Sequence, residues 1–297
     1  MPDLIEKQFV LTTPAGVPLR GDIRWDNGLT GSGKKLLPVA VVCHGFKAFK
    51  DWGPFPSIGR SLAAKGFISI VINFSHNGIG AEPRKFVEHD MFAANTISLE
   101  IDDVTTVLNE LEHGAFGLEH ADRSKIGLIG HSRGGGVCLI TAKEDSRVRA
   151  AVAWSTISRF DRYTDDQRRR WREKGYVQLH SVSEHSLFRI STALLDDLEQ
   201  NAQRLNIIDA VRTLNKPLLI VHGTADIPAK ISEAEELFAV SDNTKTEFVR
   251  LEGAGHMYGA KHPYKEESQT LNHVLDITAD WLHHHLSTEV SWKQQGR

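Results

Sequence analysis

Residues 125–140 read KIGLIGHSRGGGVCLI: a short apolar run, a glycine cluster with Ser132 in its middle, then a second apolar run. A glycine-rich turn between a strand and a helix has two common uses. It cradles a phosphate on the helix N-terminus, or it holds a nucleophile in a strained bend. The phosphate uses fail on detail. A Walker loop requires G-x-x-x-x-G-K-[ST], and no lysine follows these glycines at that spacing. G-x-G-x-x-G requires glycine where Ser132 stands. Gly130-His131-Ser132-Arg133-Gly134 instead fits G-x-S-x-G, a sharp turn that lifts a serine hydroxyl above a sheet. On this stretch alone, a flexible glycine turn with an incidental serine is the competing reading.

The surrounding chain supplies context. Short continuous apolar runs at 36–45, 68–75, 125–130, 149–156 and 217–223 read as strands buried on both faces, and KTEFVRLEG (245–253) as a more alternating one. Helical patterns separate them: PSIGRSLAAKG, TISLEIDDVTTVLNELEHG, GGGVCLITAKE, KISEAEELFAV and QTLNHVLDITADWLHHHL. Alternating strands and helices predict βαβ units and a mostly parallel central sheet with helices on both faces. The opening EKQFVLTTPAGVPLRGDIRW alternates around a Pro-Ala-Gly turn, predicting an N-terminal antiparallel hairpin at one edge. Residues 157–215 exceed a normal crossover and read as mostly helical, so a helical cap insertion is expected there, with the core at 1–156 and 216–297.

Composition narrows the function classes. Of 297 residues 40% are hydrophobic and 25% charged, and the formal net charge is −3, without the basic footprint of a nucleic-acid partner. No run approaches the roughly 18 apolar residues of a membrane span, and no secretory signal is read at the N-terminus. Cys43 and Cys138 lie in apolar segments as free thiols would, so a reducing cytoplasm is the expected compartment.

A serine hydroxyl needs a base to take its proton, usually a histidine oriented by a carboxylate. His256, in LEGAGHMYG, follows the last expected strand in a glycine-flanked loop. Asp226, in LLIVHGTADIP, lies just past the preceding strand. Both should emerge at the carboxyl edge of the sheet, where Ser132 emerges and where open α/β sheets bind ligands. Alone, Asp226 reads equally as a turn cap and His256 as a loop histidine; their order with Ser132 is what carries weight. Backbone N–H groups of Arg133 and of Phe46, in CHGFKAF, are the expected oxyanion donors.

HGF at 44–46, GHSRGG at 130–135, HGTAD at 222–226 and GAGH at 253–256 resemble the α/β-hydrolase family, over about residues 6–156 and 216–286. Within it the chain looks like bacterial serine esterases related to cinnamoyl/feruloyl esterases and dienelactone-hydrolase-like proteins. It is also similar to prolyl-oligopeptidase-type catalytic domains. The resemblance implies the α/β-hydrolase fold and a carboxylic-ester hydrolase with Ser132 as nucleophile, His256 as base and Asp226 as orienting acid. It implies no metal and no organic cofactor. Two stretches depart from the family pattern: Asp226-Ile227-Pro228-Ala229, where many relatives have Asp-x-x-Val, and INFSHNGIG at 72–80.

Other residues invite weaker readings. Trp171, Tyr176 and Phe188 are candidates for a substrate pocket, or for ordinary core. His283-His284-His285 read as a solvated C-terminal turn rather than a metal site. His44, His131 and His222 flank strand ends and are expected to pack behind the site. RRRWREK (168–174) reads as an exposed helix face. The expected partner is a small-molecule ester, with no nucleic acid and no membrane; the oligomeric state is open, a homodimer included. An aminopeptidase or acyl-peptide hydrolase, and a ligand-binding receptor of the same fold with little turnover, are the alternatives.

Overall fold

The computed structural model describes residues 1–31, 33–181 and 186–287. Two-face burial explains its central sheet. Val39, Val41 and Cys43 of β3 (Leu37–Cys43) join one apolar cluster, while Ala40 and Val42 join the other. The same period of two divides Ile68, Ile70 and Ile72 from Val71 in β4 (Ile68–Ile72), and Leu218 and Ile220 from Leu219 and Val221 in β9 (Leu218–Gly223).

Eight strands form the sheet, in the order β1-β2-β4-β3-β5-β6-β9-β10. The remaining members are β1 (Leu4–Thr12), β2 (Pro18–Asp26), β5 (Ala121–His131), β6 (Val148–Trp154) and β10 (Thr246–Leu251). Strands β3 to β6, β9 and β10 pair in parallel, and β1–β2 is an antiparallel edge hairpin, as its alternation predicted. Helices α1 (Phe55–Ala64) and α9 (Gln269–Ser287) cover one face. On the other lie α3 (Ile97–His113), α4 (Arg133–Glu144) and α8 (Ile231–Val240). Thr96 caps α3 by accepting the Leu99 N–H at 3.2 Å, and left-handed Gly114 ends it. A one-turn α2 (His89–Ala93) precedes α3 and was not legible from spacing.

The segment between β6 and β9, expected to be mostly helical, holds a strand pair as well as helices. Helix α5 (Asp165–Lys174), closed by a Thr164/Gln167 capping box, is followed by an antiparallel hairpin, β7 (Tyr176–Ser181) and β8 (Ser186–Ser191). Only then come α6 (Ala193–Gln200) and α7 (Ile207–Thr213). Alternation of Val177 and Leu179 opposite Ile190 and Phe188 puts these four on one face of the hairpin. The histidine run lies at the C-terminal end of α9, with His284 exposed. His283 bonds the Lys65 carbonyl oxygen at 2.7 Å and His285 packs on Trp281, so the two rings serve different neighbours along α9. No helix among the described residues is long and apolar enough to cross a membrane.

Candidate active site

β5 ends at His131 and α4 begins at Arg133, leaving Ser132 alone at the bend with φ 55° and ψ −122°. A non-glycine residue held there costs about 1–3 kcal/mol, so its surroundings must over-determine it. They do. The Ser132 N–H donates to the Trp154 carbonyl at 2.9 Å, and its carbonyl accepts from Gly135 N–H (2.9 Å) and the Thr156 hydroxyl (3.0 Å). Two glycines permit the bend: a Cβ at Gly130 would stand 2.3 Å from the Gly134 carbonyl oxygen, and one at Gly134 would stand 2.4 Å from that of His44.

The expected acid and histidine meet. His256 Nδ1 lies 3.0 Å and 2.8 Å from the two Asp226 carboxylate oxygens. Asp226 Oδ1 also accepts the Ala229 N–H at 2.9 Å, which shapes the loop carrying the departure noted at 226–229. Behind it, fully buried His222 donates Nε2–H to the Ala229 carbonyl at 2.7 Å, 3.4 Å from Asp226 Oδ2. Burial alone would push the Asp226 carboxyl up; the hydrogen bonds from His256 and Ala229 outweigh it and hold the group below its ordinary value. Among the described residues no hydrogen bond joins the Ser132 hydroxyl to His256, a contact that commonly tightens only with substrate bound.

The loop after β3 closes against the bend. A Cβ at Gly45 would come within 3.0 Å of Ser132 Cβ, so this glycine lets the backbone beside Phe46 approach the serine. His44 accepts from the Phe74 N–H through Nε2 (3.3 Å) and therefore donates Nδ1–H to the Gly45 carbonyl (2.8 Å). Burial keeps that ring neutral, its pKa lowered to about 4. Asn77, in the second departing stretch, also contacts His44 Nε2 at 3.3 Å.

The Arg133 side chain is held on both sides. Its guanidinium stacks on the Phe46 ring at 4.4 Å and is ion-paired to Glu100, which is 1% exposed and braced by Asn95 at 2.7 Å. Glu100 falls three residues after Ile97 and one before Ile101, on the apolar stripe of α3. An acid on such a stripe was the overlooked signal.

Two of the three pocket candidates line one cavity among the described residues. Trp171 and Tyr176 line a cavity of about 400 Å³ with Tyr163, Val177, Leu179 and Ile190. Phe188 is instead buried against Phe86 and Phe92, and Phe92 stacks on Phe46 at 5.7 Å. Phe188 thus joins the hairpin to the loop after β3.

A parallel sheet with an edge hairpin, a strained serine between β5 and α4, and a histidine–carboxylate pair beyond β9 and β10 define the α/β-hydrolase fold. Within that fold the chain belongs to the prolyl oligopeptidase family, whose model matches residues 55–289. It is 24% identical over 267 residues to the uncharacterized peptidase YuxL of Bacillus subtilis, covering 86% of this chain and 35% of that protein. The chain therefore spans about a third of that curated relative's length. Similar solved structures include an esterase domain from a Rhodothermus marinus protein (TM-score 0.63, 20% identity, 95% of this chain and 99% of that one). Another is Est1E from Butyrivibrio proteoclasticus with ferulic acid bound (TM-score 0.67, 15% identity, 94% and 100%).

Proposed function

We propose that the chain is a serine hydrolase that cleaves carboxylic esters through a covalent acyl-enzyme. The observation that carries this reading is the His256–Asp226 contact, presented at the sheet edge where the strained bend raises Ser132. Ser132 Oγ attacks the ester carbonyl while His256 Nε2 takes its proton; Asp226, bonded to Nδ1, fixes the tautomer and stabilises the imidazolium. The Phe46 and Arg133 backbone N–H groups receive the oxyanion. His256 then protonates the departing alcohol, and a water deprotonated by His256 releases the acid and restores Ser132.

Phe46 is the partly exposed aromatic beside the oxyanion loop and is the residue we assign to contact the acyl or aryl group, with Phe92 packed behind it. The segment at 157–215 acts as a cap over this edge, with Trp171, Tyr176 and Phe188 contributing to it.

The family match favours a second reading, an aminopeptidase or acyl-peptide hydrolase using the same residues. A panel of p-nitrophenyl esters from acetyl to long acyl and aryl, run beside peptide p-nitroanilides on wild type and Ser132→Ala, separates the two. Ester turnover that exceeds anilide turnover and is lost in Ser132→Ala supports the esterase. The reverse preference supports the peptidase, and full turnover by Ser132→Ala sinks both. Stoichiometric ligand binding with negligible turnover of either series would leave the receptor reading.

A further inference from the structure

His131 stands immediately before the nucleophile, is 5% exposed, and touches two separate loops of the site. Its Nε2 lies 2.9 Å from the backbone carbonyl oxygen of His256, and the two rings pack with centroids 4.7 Å apart. Its Nδ1 is buried without a hydrogen-bond partner and faces Gly45, where an added Cβ would stand 3.2 Å away. A carbonyl oxygen only accepts, so Nε2 carries the proton and donates. The partnerless Nδ1 then has no proton to satisfy, which fits one neutral tautomer.

His256 sits in a loop without helix or strand, between β10 and α9. Elsewhere that loop is tied to β9 rather than to the serine: Ala254 accepts the Ala225 N–H at 3.0 Å, and the Tyr258 hydroxyl donates to the Val221 carbonyl at 2.9 Å. Asp226, which orients the His256 ring, also follows β9. The His131 contact joins the backbone of residue 256 to the strand that leads into Ser132.

We propose that His131 is a positioning residue: its Nε2–H donation to the His256 carbonyl sets the separation of base and nucleophile, and its ring spaces both from the oxyanion loop at Gly45. The proposal rests on the esterase reading of Ser132 and His256. Burial supports it by keeping the ring neutral, with a pKa lowered to about 3, so the donor geometry is unchanged across the working range of a histidine base. Protonation would turn an Nδ1–H towards Gly45, where that nitrogen has no hydrogen-bond partner.

The test compares His131→Phe, which keeps a flat ring without the donor, with His131→Gln, whose amide N–H reaches a similar position. Butyryl ester hydrolysis gives kcat and KM separately across pH, and unfolding reports stability. A fluorophosphonate probe labels the reactive serine, with Ser132→Ala as its control. The expected result is a fall in kcat of roughly 10- to 100-fold in His131→Phe with KM within about 3-fold, as a small misplacement of a catalytic group produces. His131→Gln should recover most of it. The acid limb of the kcat/KM profile should shift in the phenylalanine variant, because the base is displaced. Wild-type kcat and an unmoved limb in a folded His131→Phe would overturn the proposal, as would equal losses in both variants. Labelling that persists in Ser132→Ala would fail the esterase reading itself, a result distinguishable from either.

Discussion

His256 Nδ1 and Asp226 Oδ2 stand 2.8 Å apart although thirty residues separate them, and Asp226 is only 6% exposed. In the proposed mechanism this pair fixes which imidazole nitrogen faces Ser132. Asp226→Asn places an amide N–H where Nδ1–H must be received, which favours the wrong tautomer. The expected loss in kcat is on the order of 10³- to 10⁴-fold with near-wild-type folding at neutral pH. Steady-state kinetics beside circular dichroism check it; a loss below about tenfold would contradict the role.

The same carboxyl gives an acid prediction. Its folded pKa is below the ordinary value, so the stability it contributes is present above that value and disappears as pH falls through the lower, folded one. Acid unfolding of wild type and Asp226→Asn should converge at low pH. Curves that stay parallel down to acid unfolding would contradict the depressed value.

Asp103 behaves oppositely. It is 2% exposed on α3, and burial raises its pKa to about 8, against the lowering effect of the Ser75 N–H it accepts at 2.7 Å. The folded chain therefore keeps a proton that the unfolded chain has lost, so this contribution is full below the unfolded pKa and is lost as pH rises through about 8. Asp103→Asn cannot ionise, and its stability relative to wild type should climb from about pH 5 to about pH 9 in urea titrations. A constant difference across that range would show that Asp103 ionises normally.

Gly134→Ala should destabilise by about 3 kcal/mol, because the new methyl meets backbone, the His44 carbonyl oxygen, which cannot rotate away. Gly175→Ala is the matched control: nothing lies within 4 Å of its Cβ position, and only its positive φ is strained. Similar thermal shifts in the two variants would show that close approach is not what demands glycine at 134.

Phe188→Ala should cost about 3–5 kcal/mol where the hairpin meets the core, since Phe188 is 3% exposed among Phe86 and Phe92. Limited proteolysis between β7 and β8 should accelerate before the rest of the chain unfolds. Unchanged cleavage would mean the aromatic cluster does not hold the hairpin down.

The fold was largely legible because strands buried on both faces are apolar at nearly every position. Runs such as Ile68–Ile72 and Leu218–Gly223 therefore announce themselves without an alignment. The bend at Ser132 was legible because its glycines answer a local steric demand. Pairings across long separations were not. Nothing local in Glu100 says that its partner is Arg133, and nothing in Phe188 says that its neighbours are Phe86 and Phe92. The β7–β8 hairpin escapes notice for another reason. Its alternation is short, with Val177 and Leu179 following directly on the capped helix α5.

The segment between β6 and β9 departs from one strand and returns on the strand hydrogen-bonded beside it, with Ala151 opposite Leu218 and Trp154 opposite Val221. Because β6 and β9 run parallel, the excursion leaves from the carboxyl end of β6 and crosses back to the amino end of β9, roughly 10 Å along the sheet. Such a crossover can lengthen, shorten or be exchanged for another sequence while the sheet order stays fixed, because lengthening a loop between fixed ends adds little entropy cost. The architecture thus separates inheritance into two parts: a frame that must be kept whole, and an inserted piece open to replacement by transplantation from a relative.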